Sequence, residues 1–208
     1  MRKAASAILI LLAFVCVGCM PMAVEGGAPP GEGGGTGMGP MSVGGQFTLD
    51  ITSRDTDTPL VTVSSDTMTV GTSVFVSQYL DPEMVHEFGG SIGLNISSMD
   101  DGTTDTSTVS TDFFGFYHYN HAVSEEMKVF FGGGMGMRML GTDSGGFTST
   151  TIEFAIEIPI GIRYFFAENA SVDIVNKVVI GFGADDDSNS TSSVGFNMAI
   201  GLSYYFGG

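Results

Sequence analysis

The sequence predicts an all-β fold: one antiparallel sheet of eight strands closed into an up-and-down transmembrane β-barrel, with short periplasmic turns at one end and longer extracellular loops at the other. Three observations predict it. Large apolar side chains alternate with small or polar ones over eight segments, the connections between segments alternate between long and short, and the basic residues of the segments all fall on the less apolar face. The composition agrees, because 208 residues with a mean hydropathy of +0.26, 31 Gly, 16 Phe and only 14% charged side chains are too apolar for a disordered chain. Beyond the N-terminal segment no apolar run reaches the ~18 residues of a membrane helix. The apolar side chains must therefore fill a core or meet lipid from strands.

Residues 1–19 have the form of an export signal. Arg2 and Lys3 make a positive start, and Ala4 to Val17 is an apolar stretch too short to span a bilayer. Both cysteines, Cys16 and Cys19, lie in this segment, where a C-x-x-C spacing finds no partners for zinc or redox chemistry. Cys16-Val17-Gly18-Cys19 resembles a bacterial lipobox with Cys16 in place of the usual leucine, which implies either an acylated Cys19 as mature N-terminus or ordinary cleavage nearby. Residues 20–45 are rich in Gly and Pro and lack apolar periodicity, so they are expected to form a flexible linker with a typical span of ~28 Å. The formal charge of −16 excludes a basic surface for nucleic acid.

The barrel is assigned to 46–208. Its expected strands, with their apolar faces, are 46–54 (Phe47, Leu49, Ile51), 67–79 (Met68, Val70, Val74, Val76), 86–97 (Phe88, Ile92, Leu94, Ile96) and 109–120 (Phe113, Tyr117, Tyr119). Then come 127–140 (Val129, Phe131, Met135, Met137, Met139), 153–166 (Phe154 to Phe166 at every second residue), 171–183 (Val172, Ile174, Val178, Ile180, Phe182) and 194–206 (Val194 to Phe206 in strict period two). Long connections fall at 55–66, 98–108, 141–149 and 184–193, and short ones at 80–85, 121–126 and 167–170. An even strand count puts both ends of the barrel on the short-turn side.

A soluble barrel hides its bulky residues, but an eight-stranded interior has no room for seven of them per strand. The apolar face therefore points outward. Arg54, Lys128, Arg138, Arg163 and Lys177 then point inward, as do Asp50, Glu87, Glu153, Glu157 and Asp173, with Asp112 joining them if Phe113, Tyr117 and Tyr119 point out. A lumenal ion-pair network of Arg54, Glu87, Lys128, Arg138, Glu153, Glu157, Arg163, Asp173 and Lys177 is expected. On the lipid face a basic residue at the midplane would cost ~2–4 kcal/mol. The six tyrosines, Tyr79, Tyr117, Tyr119, Tyr164, Tyr204 and Tyr205, cluster near the short-turn ends of even-numbered segments, which predicts an aromatic girdle.

With these faces assigned, residues 46–206 resemble the small bacterial outer-membrane β-barrels of the OmpA/OmpX type. The resemblance is carried by Gly115-Phe116-Tyr117-His118-Tyr119-Asn120, by the Lys128 to Met137 run KVFFGGGMGM, by Ile158-Pro159-Ile160-Gly161-Ile162-Arg163-Tyr164-Phe165-Phe166, and by the last strand. That strand is similar to the family's terminal membrane-insertion signal, with Tyr204 and Phe206, though two glycines follow Phe206 here. The resemblance implies an outer-membrane location and a monomer without cofactor. Its implied partners are outer-membrane lipid and lipopolysaccharide, together with the outer-membrane assembly machinery.

No catalytic residue emerges. His86, His118 and His121 all map near short turns, and Ser124 beside His121 is not a triad. Interfacial or lumenal hydrogen bonding is the expected role of these histidines. Asp100-Asp101-Gly102 with Asp105, and Asp185-Asp186-Asp187, offer hard oxygen ligands for Ca²⁺ but lack EF-hand spacing, so they read as solvated loop tips and no metal site is assigned. The expected function is structural or surface interaction through four acidic loops around a side-chain-filled lumen. The alternatives are a narrow porin-like channel and an outer-membrane lipid-modifying enzyme.

Overall fold

The computed structural model describes residues 38–57, 62–100, 105–144 and 146–207. Eight strands follow in order: β1 (Met41–Asp57), β2 (Thr62–Tyr79), β3 (His86–Asp100), β4 (Asp105–Ala122), β5 (Met127–Ser144), β6 (Phe147–Ala167), β7 (Ala170–Asp185) and β8 (Ser190–Phe206). Each pairs antiparallel with its neighbours in sequence, and β1 pairs with β8, so the sheet closes on itself. Following paired residues from Val43 through Val76, Gly90, Gly115, Met135, Ile156, Ile180 and Val194 returns to β1 at Ser53, ten residues farther along. That stagger over eight strands sets a tilt of roughly 40° and a backbone radius of roughly 8 Å.

Orientation follows from period-two alternation on a closed sheet. In β8 every second residue from Thr191 to Tyr205 is buried and every intervening one is exposed. Ile160 and Ile200 are 58% and 59% exposed, and the same outward face carries Phe47, Met68, Ile92, Phe113, Met135, Ile174 and Phe182. An apolar surface around the whole circumference is far larger than a soluble monomer shows to water. Facing hydrocarbon, it needs no cover, and the closed ladder leaves no backbone edge unpaired within it. The one gap in the β5–β6 ladder lies opposite Pro159, which has no N–H to donate.

The strands are longer than the sequence alternation indicated, and the physical reason differs at the two ends. β1 starts at Met41 rather than 46, so the last five residues of the Gly/Pro-rich stretch belong to the barrel. Gly44 is needed there, because the ring of Phe75 on β2 occupies the space a Cβ would take. Residues 20–37 of that stretch, like the export segment and Cys19, lie outside the described residues. At the opposite end the Ser/Thr-rich connections continue the ladders as hairpins, with β1–β2 paired out to Asp57↔Thr62, β3–β4 to Asp100↔Asp105 and β5–β6 to Ser144↔Phe147. Hydroxyls link these extensions, as between Thr108 and Thr142 (3.2 Å) and from Thr62 to Asp57 (2.6 Å). The short turns are tight: the Asp81 carboxylate accepts the backbone N–H groups of Val85 and His86, both at 2.7 Å, around Met84 at φ 57°.

One seam is shorter than the others. The β2–β3 ladder ends at Val70↔Ile96, although Asp66 to Thr69 still pair with β1 and Ser97 to Asp100 still pair with β4. Backbone amides that point across this outer seam should exchange with solvent orders of magnitude faster than those between Val70 and Tyr79. Hydrogen exchange on the folded chain in detergent checks this, and uniform protection along β2 would contradict it.

Candidate functional site

Among the described residues, charged and hydrogen-bonding side chains gather on the inward face. Nearest the short turns, Arg163 on β6 is the largest fully buried side chain, only 2% exposed. Its direct cross-strand partner is Asp173 on β7, which it grips with two parallel hydrogen bonds of 3.0 and 2.9 Å. The remaining Nη1 reaches Glu87 on β3 at 3.0 Å and Asn120 on β4 at 3.3 Å, and also donates to the Tyr79 hydroxyl. Glu87 accepts further bonds from Ser77 (2.5 Å) and His118 Nδ1 (3.2 Å), and Asp173 accepts from Ser171 and Ser203 (both 3.0 Å). The guanidinium lies 5.1 Å from the Phe130 ring centre and 5.9 Å from those of Tyr79 and Tyr205.

Above this cluster, Lys177 on β7 pairs with Glu157 on β6 at 3.1 Å. Higher still, Arg138 on β5 contacts Asp112 on β4 at 3.1 Å and Asp50 on β1 at 3.5 Å, while Arg54 on β1 meets Glu153 on β6 at 3.0 Å. Asn95 steadies Asp112 (2.8 Å), Thr52 steadies Asp50 (2.5 Å) and Ser193 steadies Glu153 (3.1 Å). Arg163 and Lys177, whose inward assignment requires carboxylate partners, both have them.

Lys128 departs from the expected network. It stands directly across the ladder from Arg163, and two cations cannot share one carboxylate cluster without repulsion. Its ammonium instead swings to the short-turn mouth and donates to the carbonyls of Glu83 (2.8 Å) and Met84 (3.1 Å). The tyrosine girdle is also smaller than expected. Tyr117, Tyr119, Tyr164 and Tyr204 face outward, but Tyr79 and Tyr205 have inward parity and close the lumen over Arg163. Among the histidines, His86 Nδ1 meets the Tyr117 hydroxyl at 2.7 Å on the outer wall, His118 lies in the lumen, and His121 is exposed.

Asp50 and Asp112 complete the network, and aromatic filling was not anticipated. Phe75, Phe114, Phe116 and Phe130 all point inward. The rings of Phe75, Phe116 and Phe130 lie over Gly44, Gly89 and Gly161 of neighbouring strands, where a Cβ would collide with them. Two cavities of about 20 and 30 Å³ are left among these side chains, each with room for a water or two. At the outer end the Asp185 carboxylate accepts two hydrogen bonds from Asn189 (2.8 and 2.9 Å), which hold it below the usual carboxylate range. Asp186 accepts the Thr150 N–H (3.1 Å), so two of the three aspartates serve the hairpin. The tip of the other acidic loop, 101–104, lies outside the described residues.

Three solved structures are similar to this chain. They are neisserial surface protein A (11% identity, TM-score 0.56, covering 80% of this chain and 97% of that one), the outer membrane protein OprG from Pseudomonas aeruginosa (12%, 0.52, 82% and 97%), and Ail, the attachment invasion locus protein of Yersinia pestis (12%, 0.50, 81% and 99%). At these identities the likeness is one of fold, that of small outer-membrane barrels. No protein-family model matches the sequence, and no curated protein matches it.

Replacing Arg163 by Met strands Glu87 and Asp173 without a cation in a dry site and should cost ~3–5 kcal/mol of stability. Lys128→Met, which removes a half-exposed donor, should cost under ~1 kcal/mol. Adding Glu87→Gln and Asp173→Asn to Arg163→Met should recover part of the loss. Urea midpoints of the folded form measure all three, and equal effects of the two single substitutions would overturn the assignment of Arg163 as the lumenal clamp.

Proposed function

We propose that the protein is an integral outer-membrane β-barrel, closed to solutes, whose role is structural or lies in surface interaction through its outer hairpins. The observation that carries this reading is the lumen itself. Ion pairs from Arg163 to Arg54 and the aromatic rings between them span the bore from wall to wall, and the gaps that remain are water-sized. A conductive path would need to break several buried pairs at once. The fold shared with outer-membrane barrels and the circumferential apolar belt support the location.

The outer hairpins carry Asp55, Asp57, Asp66, Asp143, Asp185, Asp186 and Asp187, while Arg54, the nearest basic residue, is turned inward onto Glu153. Such a rim repels polyanions and suits cationic or neutral partners, or lipopolysaccharide bridged by divalent cations. Glu87 orients His118 through Nδ1, but among the described residues no nucleophile meets its Nε2, so the geometry lends lipid modification no support. Lipid attachment at Cys19, with ordinary cleavage nearby as its alternative, and recognition of Tyr204 and Phe206 by the assembly machinery belong to the same proposal.

Three measurements test it. The folded chain should migrate faster on unheated than on heated gels and fractionate with the outer membrane. Planar bilayers containing it should show no stable unitary steps, and steps abolished by Glu157→Gln or Arg163→Met would establish the channel reading instead. Protease added to intact cells should cut the hairpin tips and spare the barrel, and protection of those tips would refute their surface role.

A further inference from the structure

Asn176 on β7 faces hydrocarbon. It has the outward parity of Ile174 and Val178, and its direct neighbours across the two ladders are Ile160 on β6 and Met198 on β8. It stands four residues along β7 from Val172, the ladder partner of Tyr164 in the girdle. A rise of ~3.3 Å per residue on a strand tilted by ~40° puts it roughly 10 Å inside the apolar belt. At that depth neither water nor headgroup oxygens can serve the two donors and the acceptor of a carboxamide. Among the described residues none bonds to the Asn176 side chain either. Gln78, also outward, avoids this at the short-turn end, where it donates to the carbonyls of Gly39 (2.5 Å) and Tyr79 (2.9 Å).

The wall around Asn176 also differs from the far wall. Ile158, Ile160, Ile162, Ile174, Val178 and Ile200 surround the amide, all β-branched and all exposed. Stiff side chains lose little freedom when a second protein surface packs against them. The far wall, on β3 to β5, instead sets Gly90 and Gly115 beside the flexible Met135 and Met137.

We propose that two copies of this chain associate in the membrane through the outward faces of β6, β7 and β8, with Asn176 on the two-fold axis, in place of the monomer that the family resemblance implies. The inference rests on the belt facing hydrocarbon. An axis along the membrane normal keeps both copies at one depth, so an Asn176 on the axis meets its own counterpart. Each amide then donates one N–H to the Oδ1 of the other, and two groups that lipid leaves unpaired satisfy each other. On this axis β6 of one copy faces β8 of the other, and the strand tilt offsets Ile160 in height from the Met198 opposite it. The longer side chains therefore interleave and let the short amides meet. An unrelated protein would need a matching amide at the same depth, which a second copy supplies by symmetry.

Sedimentation equilibrium of the full chain, folded in density-matched detergent micelles, gives its mass over a series of chain-to-detergent ratios. A two-chain complex should form as the ratio rises. Asn176→Leu should weaken it about three- to twentyfold, the range measured for hydrogen bonds between membrane segments. Thr111→Val, which removes an outward hydroxyl from the far wall, should leave it unchanged. At ratios where only monomer is present, Asn176→Leu should unfold at no lower urea concentration than the unaltered chain, because the amide has no bond to lose there. The mass of the unaltered chain depends on no variant folding: monomers at every ratio, or assemblies larger than a pair, overturn the proposal. If those monomers still migrate faster on unheated than on heated gels, the membrane barrel stands and the pairing alone has failed. Equal association of the unaltered chain and Asn176→Leu places the contact elsewhere and overturns the proposal. Equal weakening by Thr111→Val marks crowding in the micelle and is as fatal.

Discussion

The structure depends on one constraint: an ionised side chain enclosed by this barrel has neither lipid nor bulk water to fall back on, so it must find its partner within the lumen. Arg163 meets that constraint most completely, using Nε and both terminal nitrogens on two carboxylates, an amide and a phenol. The consequence reaches beyond one residue. Because side chains alternate faces, a one-residue slip of β6 against β7 would turn Arg163, Glu157 and Glu153 toward hydrocarbon together. The cross-strand neighbours Arg163↔Asp173 and Asp112↔Arg138 therefore act as register marks as well as ion pairs.

Volume is the second demand, and it is met by unequal neighbours. A bore of roughly 8 Å radius leaves little space once backbone is subtracted, so each large inward ring needs a neighbour with no side chain. Phe75 over Gly44, Phe116 over Gly89 and Phe130 over Gly161 are the same solution three times, on three seams. Gly134 does the same for Glu157, which lies against it on its way to Lys177. Such complementarity fills the bore with covalently fixed groups and leaves gaps such as the two of about 20 and 30 Å³ among them.

The barrel, its strand number, its inside and its outside were all legible in the sequence, because alternation on a closed sheet leaves few options. Nine residues were assigned to the lumenal network, and the pairs Arg54–Glu153, Arg163–Glu87, Arg163–Asp173 and Lys177–Glu157 are made by seven of them, while Arg138 pairs with Asp112 and Asp50. Lys128 was misjudged because parity gives a face but not a height or a cross-strand neighbour, and it was the neighbour, Arg163, that expelled it. Tyr79 and Tyr205 were counted into the girdle from their position near strand ends, whereas strict parity with Ser77 and Ser203 would have sent them inward. The same parity would have revealed Phe75, Phe114, Phe116 and Phe130, had small size not been treated as the mark of the inner face. Strand length was underestimated because Ser and Thr carry no hydropathic alternation.

That last point bears on how the two halves of the barrel differ physically. Within the apolar belt every backbone group must pair, since lipid offers no substitute partner. Beyond it water competes for the same groups, and burial no longer selects one face of a strand over the other. The outer hairpins therefore hold together by hydroxyl links and turn caps such as Asn189 on Asp185 rather than by a core. The β2–β3 seam parts just past Val70↔Ile96, close to where the outward apolar residues Met68 and Val70 give way to Asp66. A ladder that ends near the margin of the belt is what this change of solvent predicts. It leaves this seam fully laddered from Val70 to Tyr79 and the hairpins beyond it held by fewer cross-strand bonds.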